Sequence, residues 1–196
     1  STDGGKTFSD APLGKSLPVN ALAFSALRFT SDGLMAIRTG SSVVYSADGA
    51  TTTDTVATPG CSTQPGVSAF DLNPTDGKQV VIPCGKALQF CSKAGCTPSP
   101  VAYALVDVRF GTDPQHVAAI GRSDDGSFTA LVSEDGGKKF SANLTFKDNV
   151  SPSWRVAWDP RAGKHTAYAL LVSHLFRSSD GGKNWQDITP PPALNY

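Results

Sequence analysis

Residues able to do chemistry are sparse in this chain, and their spacing argues against a catalytic constellation. It holds 17 acidic residues, of which only Glu134 is a glutamate. Cleaving a glycosidic bond takes two carboxyls facing each other across a cleft, one with a raised pKa. The aspartates Asp124 and Asp125 adjoin in "RSDDGS". Consecutive side chains in an extended loop point apart, so the pair reads as an exposed turn rather than a catalytic dyad. His116, His165 and His174 are scattered over separate elements and read as surface or strand-end residues, not as a metal cluster or a triad. No catalytic residue, metal or cofactor is assigned. Four further groups, Arg38, Lys86, Arg122 and His174, gain meaning only from the elements that carry them.

Those elements repeat. "STDGGKTFSD" opens the chain, "SEDGGKKFSA" spans 133–142, and "SSDGGKNWQD" spans 178–187. A worn copy, "SADGATTTDT", spans 46–55. The frame is Ser-x-Asp-x-Gly-x-x-aromatic: Ser1, Asp3, Gly5, Phe8; Ser133, Asp135, Gly137, Phe140; Ser178, Asp180, Gly182, Trp185. The worn copy keeps Ser46 and Asp48 but has Ala50 and Thr53 at the glycine and aromatic positions. Asp3 to Asp48 is 45 residues, Asp48 to Asp135 is 87, and Asp135 to Asp180 is 45. A period in the forties marks a repeat architecture. One period reads as four short strands: "WRVAWD", then a polar turn, "TAYALLV", "HLFRS", the phrase itself, and "NWQDIT". No window offers a capped amphipathic helix. Four antiparallel strands in about 40–45 residues describe a β-propeller blade.

The expectation is an all-β propeller with about four four-stranded blades, near 19–58, 67–101, 105–146 and 154–189. Residues 1–13 read as a turn and outer strand of a preceding blade, and residues 14–196 as the four blades. The chain then reads as a segment of a larger propeller; the competing reading is a self-contained four-bladed ring with a displaced N-terminal strand.

The repeated phrase resembles the Asp box of sialidases, sortilin-type receptors and secreted glycoside hydrolases. The resemblance places the phrase in the turn between the third and fourth strands of each blade. It implies an extracellular or secretory protein, with ligands approaching the opposite edge or the central channel. A sialidase needs an arginine cluster, a tyrosine–glutamate pair and the Arg-Ile-Pro signature. The signature is absent, and Glu134 lies inside a turn phrase. Asp3, Asp48, Asp135 and Asp180 are committed to turns, and Asp71, Asp76, Asp113 and Asp159 read as members or neighbours of Asp/Asn-Pro turns.

The second repeat lacks the phrase and has "CSKAGC" in its place. A Cys91–Cys96 disulfide could close that hairpin, leaving Cys61 to pair with Cys84. Four cysteines allow three connectivities, and four reduced, buried thiols remain the alternative. Disulfides would indicate an oxidising compartment. Trp154 and Trp158 share a strand face and suit either packing between blades or a sugar platform. Asn143 and Asn149 begin glycosylation sequons.

A formal net charge of +0 gives no basic footprint for nucleic acid. No apolar run approaches the length of a membrane span. Strand alternation sets Arg38, Lys86, Arg122 and His174 at the edge opposite the repeated turns. They could converge on an acidic ligand, or be unrelated solvated turn residues. Three functions follow: a non-catalytic binding or scaffold module for a peptide, protein or glycan; a segment of an Asp-box glycoside hydrolase with its catalytic residues elsewhere; or a structural segment whose partners are the remaining blades of a larger chain.

Overall fold

The computed structural model describes residues 6–7, 27–30, 32–39, 41–48, 52–61, 69–147, 154–159, 161, 165–171 and 173–191. Among these residues the structure is all β. The first blade holds β1 (Leu27–Phe29), β2 (Met35–Thr39), β3 (Ser42–Ser46) and β4 (Asp54–Ala57). The second holds β5 (Asp71–Leu72), β6 (Val80–Cys84), β7 (Ala87–Ser92) and β8 (Gly95–Pro100). The third holds β9 (Ala104–Phe110), β10 (Val117–Arg122), β11 (Phe128–Ser133) and β12 (Ser141–Phe146). The fourth holds β13 (Trp154–Trp158), β14 (Ala167–Leu171), β15 (His174–Ser178) and β16 (Gln186–Asp187). Each blade is an antiparallel meander with its strands in chain order. The chain folds as a four-bladed β-propeller. First strands pack on first strands from blade to blade, which places them innermost.

The turns are written in the sequence. Between β5 and β6, Asn73 Oδ1 accepts the N–H groups of Thr75 (2.9 Å) and Asp76 (3.2 Å). Between β9 and β10, Asp113 Oδ1 accepts those of Gln115 (2.9 Å) and His116 (3.2 Å). A short acceptor side chain thereby reverses the strand. Asp48, Asp135 and Asp180 occupy equivalent turns between third and fourth strands. In all three the serine hydroxyl, of Ser46, Ser133 or Ser178, donates to the aspartate at 2.8 Å. The aspartate accepts N–H groups further on: Thr52 (2.8 Å), Lys139 (3.0 Å) and Asn184 (2.9 Å). These bonds favour the carboxylate. The Lys139 N–H and the Ser133 hydroxyl hold Asp135 below its usual range. The Asn184 backbone and side chain hold Asp180 down at about 2. Ser1, Asp3, Gly5 and Phe8, with the rest of 1–5 and 8–26, lie outside the described residues, as does Ala50.

Each blade has two faces, called upstream and downstream by the direction of the chain. Three buried clusters join consecutive blades. Downstream Ala36, Val43, Tyr45 and Val56 of the first blade meet upstream Leu72, Val80, Ile82 and Cys91 of the second. Downstream Val81 and Leu88 meet Val108, Phe110, Val117 and Ala119. Downstream Ala118, Ile120, Ala130 and Val132 meet Val156, Ala169, Leu171 and Phe176. Burying one such aliphatic side chain contributes ~1.5–3 kcal/mol. An exposed ion pair such as Lys86–Asp124 contributes about 0–1 kcal/mol. The clusters therefore hold the blades together.

The repeated turn completes two of these joints. Gly182 has φ 87°, and a Cβ there would enter the volume of Val132 in the preceding blade. Gly137 has φ 85° and sits equally close to the Phe90 ring. Their carbonyls accept from the preceding outer strand: Gly182 from Asn143 Nδ2 at 3.3 Å, and Gly137 from the Ser99 hydroxyl. Trp185 Nε1 donates to Gly182 O at 3.0 Å, and Phe140 packs against the cluster of the second joint, so the aromatic caps the joint from within its blade.

The first joint is built from cysteine instead. Cys91–Cys96 closes the β7–β8 hairpin, and Cys61–Cys84 ties the segment after β4 to the end of β6. Cys96 Sγ lies 3.5 Å from the Ala57 carbonyl of the first blade, and Lys93 pairs with Asp54 across the same joint. Both disulfides are compatible with an extracellular protein. Among the described residues, no helix is long and apolar enough to cross a membrane.

Gly33 isolates the backbone cost of a side chain: its φ is 89° and nothing lies within 4 Å of a Cβ there. Gly33→Ala is expected to cost about 1–2 kcal/mol in urea unfolding. Gly182→Ala is expected to cost roughly 2–4 kcal/mol, because displacement of Val132 is added. Equal losses would show that the close approach contributes nothing.

Candidate functional site

The inner strands carry a charged set on their downstream faces: Arg28 on β1, Asp71 on β5, Asp107 and Arg109 on β9, and Arg155 on β13. An inner strand has a ladder partner on one side only. Its other edge exposes backbone groups that need partners. Asp71 Oδ2 accepts the Phe110 N–H at 2.8 Å, and Asp107 Oδ2 accepts the Val156 N–H at 3.0 Å, each reaching one blade on. Arg28 Nε donates to Phe70 O at 3.1 Å and lies 3.6 Å from Asp71. Arg109 lies 3.1 Å from Asp107.

The three arginines share a posture. Each donates from Nη1 to the carbonyl of the residue before it: Leu27 (2.9 Å), Val108 (2.6 Å) and Trp154 (2.7 Å). That leaves a planar guanidinium with further donors along the channel. Burial, then the charge of Arg109, lowers the pKa of Arg28; the charge of Arg155 acts in the same direction. Burial raises Asp71 and Asp107 despite the arginines beside them. The five groups form one electrostatic set drawn from all four blades, with three positive charges against two negative. Such a set can receive an anion, and its two carboxyls are the ones whose environment favours the protonated form.

Asp71 thus differs from the sequence reading. It is no turn residue but a channel carboxyl, whereas Asp76, Asp113 and Asp159 do accept turn N–H groups. Asp107, Arg28, Arg109 and Arg155 were not singled out by sequence.

The four residues expected at the far edge do not gather. Arg38 is 1% exposed inside β2, and its Nη1 donates to Ala69 O of the next blade at 2.7 Å. Lys86 follows the tight turn after β6 and pairs with Asp124 of the third blade at 3.3 Å. Arg122 stays on its own blade, 5.9 Å over the Phe128 ring. His174 packs 4.6 Å from Phe146 of the third blade and pairs with Asp187 at 2.9 Å. Three of the four thus serve joints between blades.

Asp124 and Asp125 diverge: the first meets Lys86, while the second takes the Ser123 hydroxyl, the Ser127 N–H and Lys147. Their loop is a hydrogen-bonded turn. His116 and His165, expected apart, come together with ring centres 4.9 Å apart, His116 also against Asp113 and Trp158. No three metal-ligating side chains cluster among the described residues. Trp154 stacks on Phe128 at 5.2 Å within the third joint. Asn143 is occupied in that joint, and Asn149 lies outside the described residues.

Solved structures share this geometry. An ancestral GH74 enzyme superposes with a TM-score of 0.65 at 16% identity, covering 86% of this chain and 24% of that one. The GH74 enzyme of Niastella koreensis gives 0.55 at 16%, covering 85% and 30%. YCF48 from Cyanidioschyzon merolae gives 0.57 at 15%, covering 95% and 64%. The chain is a β-propeller repeat protein. At these identities the likeness concerns the fold, and the chain spans about a quarter of the first GH74 chain and under two thirds of YCF48. No protein-family model and no curated protein matches the sequence.

The channel carboxyls set a pH dependence. Their folded pKa lies above the unfolded value of about 4, so the native state holds more protons than the unfolded chain in that window. Their contribution to stability therefore falls as pH rises from about 4 through the raised pKa. Asp107→Asn keeps an oxygen for the Val156 N–H and removes the charge. The fall in thermal midpoint above pH 4 is expected to flatten in this variant. Parallel profiles for variant and parent would refute the assignment.

Proposed function

We propose that the chain is an extracellular Asp-box β-propeller acting as a non-catalytic binding or scaffold module. The repeated serine–aspartate turns support the Asp-box reading, and the paired cysteines support the extracellular one. The ligand is a peptide, protein or glycan that presents an acidic group to the channel. The observation that carries this reading is the channel set itself: the half-buried Arg28 and Arg109 and the exposed Arg155 hold spare donors there, with an excess of positive charge. A carboxylate or sulfate ester there meets planar donors at reduced dielectric, where charge-assisted bonds are strongest.

A second reading has one specific support. Asp71 and Asp107 share that channel and have raised pKa values, as a glycosidase acid requires. The likeness in fold to GH74 enzymes gives it a class of substrate to test. Each carboxylate already accepts a backbone N–H, which favours the binding role.

Calorimetry against an acidic peptide, sialyllactose and a neutral β-glucan oligosaccharide separates the two. Binding of an acidic probe that weakens with salt is expected, with a roughly tenfold loss in Arg109→Gln, equivalent to about 1.4 kcal/mol. Binding of the neutral glucan alone, or its hydrolysis with loss of turnover in Asp107→Asn, would replace the binding reading with the enzymatic one.

A further inference from the structure

The two channel carboxyls divide their oxygens in the same way. Asp71 gives Oδ2 to the Phe110 N–H at 2.8 Å and turns Oδ1 towards Arg28 Nε at 3.6 Å. Asp107 gives Oδ2 to the Val156 N–H at 3.0 Å and turns Oδ1 towards Arg109 Nη1 at 3.1 Å. One oxygen is tied to the backbone of the next blade, and the other faces a guanidinium. A carboxyl protonated on Oδ1 keeps Oδ2 as an acceptor, so a proton can arrive without breaking the link between blades. The two residues differ in reach. The Asp71 side chain is 18% exposed and that of Asp107 is 2%. The separation of Asp71 from Arg28 also exceeds a hydrogen bond. An entering anion therefore meets Asp71 Oδ1, not Asp107, beside the arginines.

The charges around Asp71 come from the strands packed against β5. Strand β1 brings Arg28, β9 brings Asp107 and Arg109, and β6 brings no charged side chain. Burial pushes the Asp71 carboxyl up, while the Phe110 N–H, Arg109 and Arg28 pull it down. An anion held by the two arginines cancels their pull and leaves burial opposed by backbone N–H groups alone. The carboxylate then also faces a like charge at close range, which favours its protonated form.

We propose that Asp71 is the specificity-determining residue of the channel: the acidic group of the ligand takes donors of Arg28 and Arg109, and Asp71 Oδ1 takes one proton from solvent and donates it in a hydrogen bond to the bound anion. The inference rests on the channel being the ligand site. Protonation converts a repelling charge into a donor at the point where the ligand oxygen lies. Binding and protonation strengthen each other by the same factor, so the affinity for an anion rises as pH falls. A neutral sugar leaves the arginine charges in place and takes up no proton. The channel thereby selects acidic ligands more sharply than its arginines alone would.

Calorimetry with inorganic sulfate tests it, because the charge of that probe is constant over the pH range used. Titrations at about pH 5 and about pH 8, each in two buffers of unlike protonation enthalpy, read affinity and proton uptake together. The parent chain is expected to bind roughly tenfold tighter at the lower pH, with about one proton taken up per sulfate. Asp71→Asn places a neutral donor at the same point and keeps an oxygen for the Phe110 N–H. It should bind with one affinity at both pH values and take up no proton, with circular dichroism like that of the parent confirming the fold. Equal affinity at both pH values in the parent, without proton uptake, would overturn the proton coupling and leave the ligand reading standing. A pH dependence that persists in Asp71→Asn would overturn the assignment to Asp71. No binding at either pH would overturn the ligand reading and this inference with it. Proton uptake is read on the parent, so the coupling is open to refutation even where the variant does not fold.

Discussion

A four-stranded blade has two apolar faces and no means of covering either by itself. Everything else in the molecule answers that constraint. The meander presents alternate side chains to opposite faces. The upstream rows of one blade and the downstream rows of the one before it then interdigitate into the three clusters. The repeated turn matters for the same reason. Its serine and aspartate fix a reversal, but its second glycine does something a turn alone would not need. It lets the backbone press against the third strand of the preceding blade and offer that blade a carbonyl. The motif is as much a joint between blades as a turn within one.

Polar side chains follow the same logic at the inner edge. First strands leave one backbone edge unpaired, and Asp71 and Asp107 reach forward to satisfy the next strand. A buried carboxylate without arginines nearby would be costly. Arg28 and Arg109 supply the countercharge, at 3.6 and 3.1 Å. The donors left over from this structural task are what make the channel a candidate site. Structure and function thus draw on one set of groups, and a third arginine, Arg155, tips its balance towards positive charge.

Much of this architecture was legible in the sequence because it is periodic. The 45-residue spacing of aspartates located the turns, and the hairpin "CSKAGC" at the one missing turn gave both disulfides. The channel was not legible, because its residues share no period. Arg28, Asp71 and Arg109 occupy equivalent register positions with unlike chemistry, and Arg155 aligns instead with Asp107. Only the ladder shows that they face one space. Asp71 was hidden by its neighbour Asn73, which makes the turn. Arg38 looked like an edge residue because it is near a hairpin, yet β2 places its stem on the face that packs against the second blade. Proximity to a turn in sequence does not set which face a strand residue takes.

The two kinds of joint also differ in what they respond to. At the second and third joints the turn depends on ionised aspartates. Their folded pKa values lie below the unfolded value, so the stability they contribute is present above about pH 4 and is lost as pH falls through the lowered pKa; for Asp180 that is about 2. At the first joint there is no such aspartate, and covalent bonds stand in its place. Acid therefore acts on the repeated turns at the second and third joints, and reductant on the cysteine-built turn at the first. The turn of the first blade carries Ala50 where the other two have the glycine that admits a close neighbour.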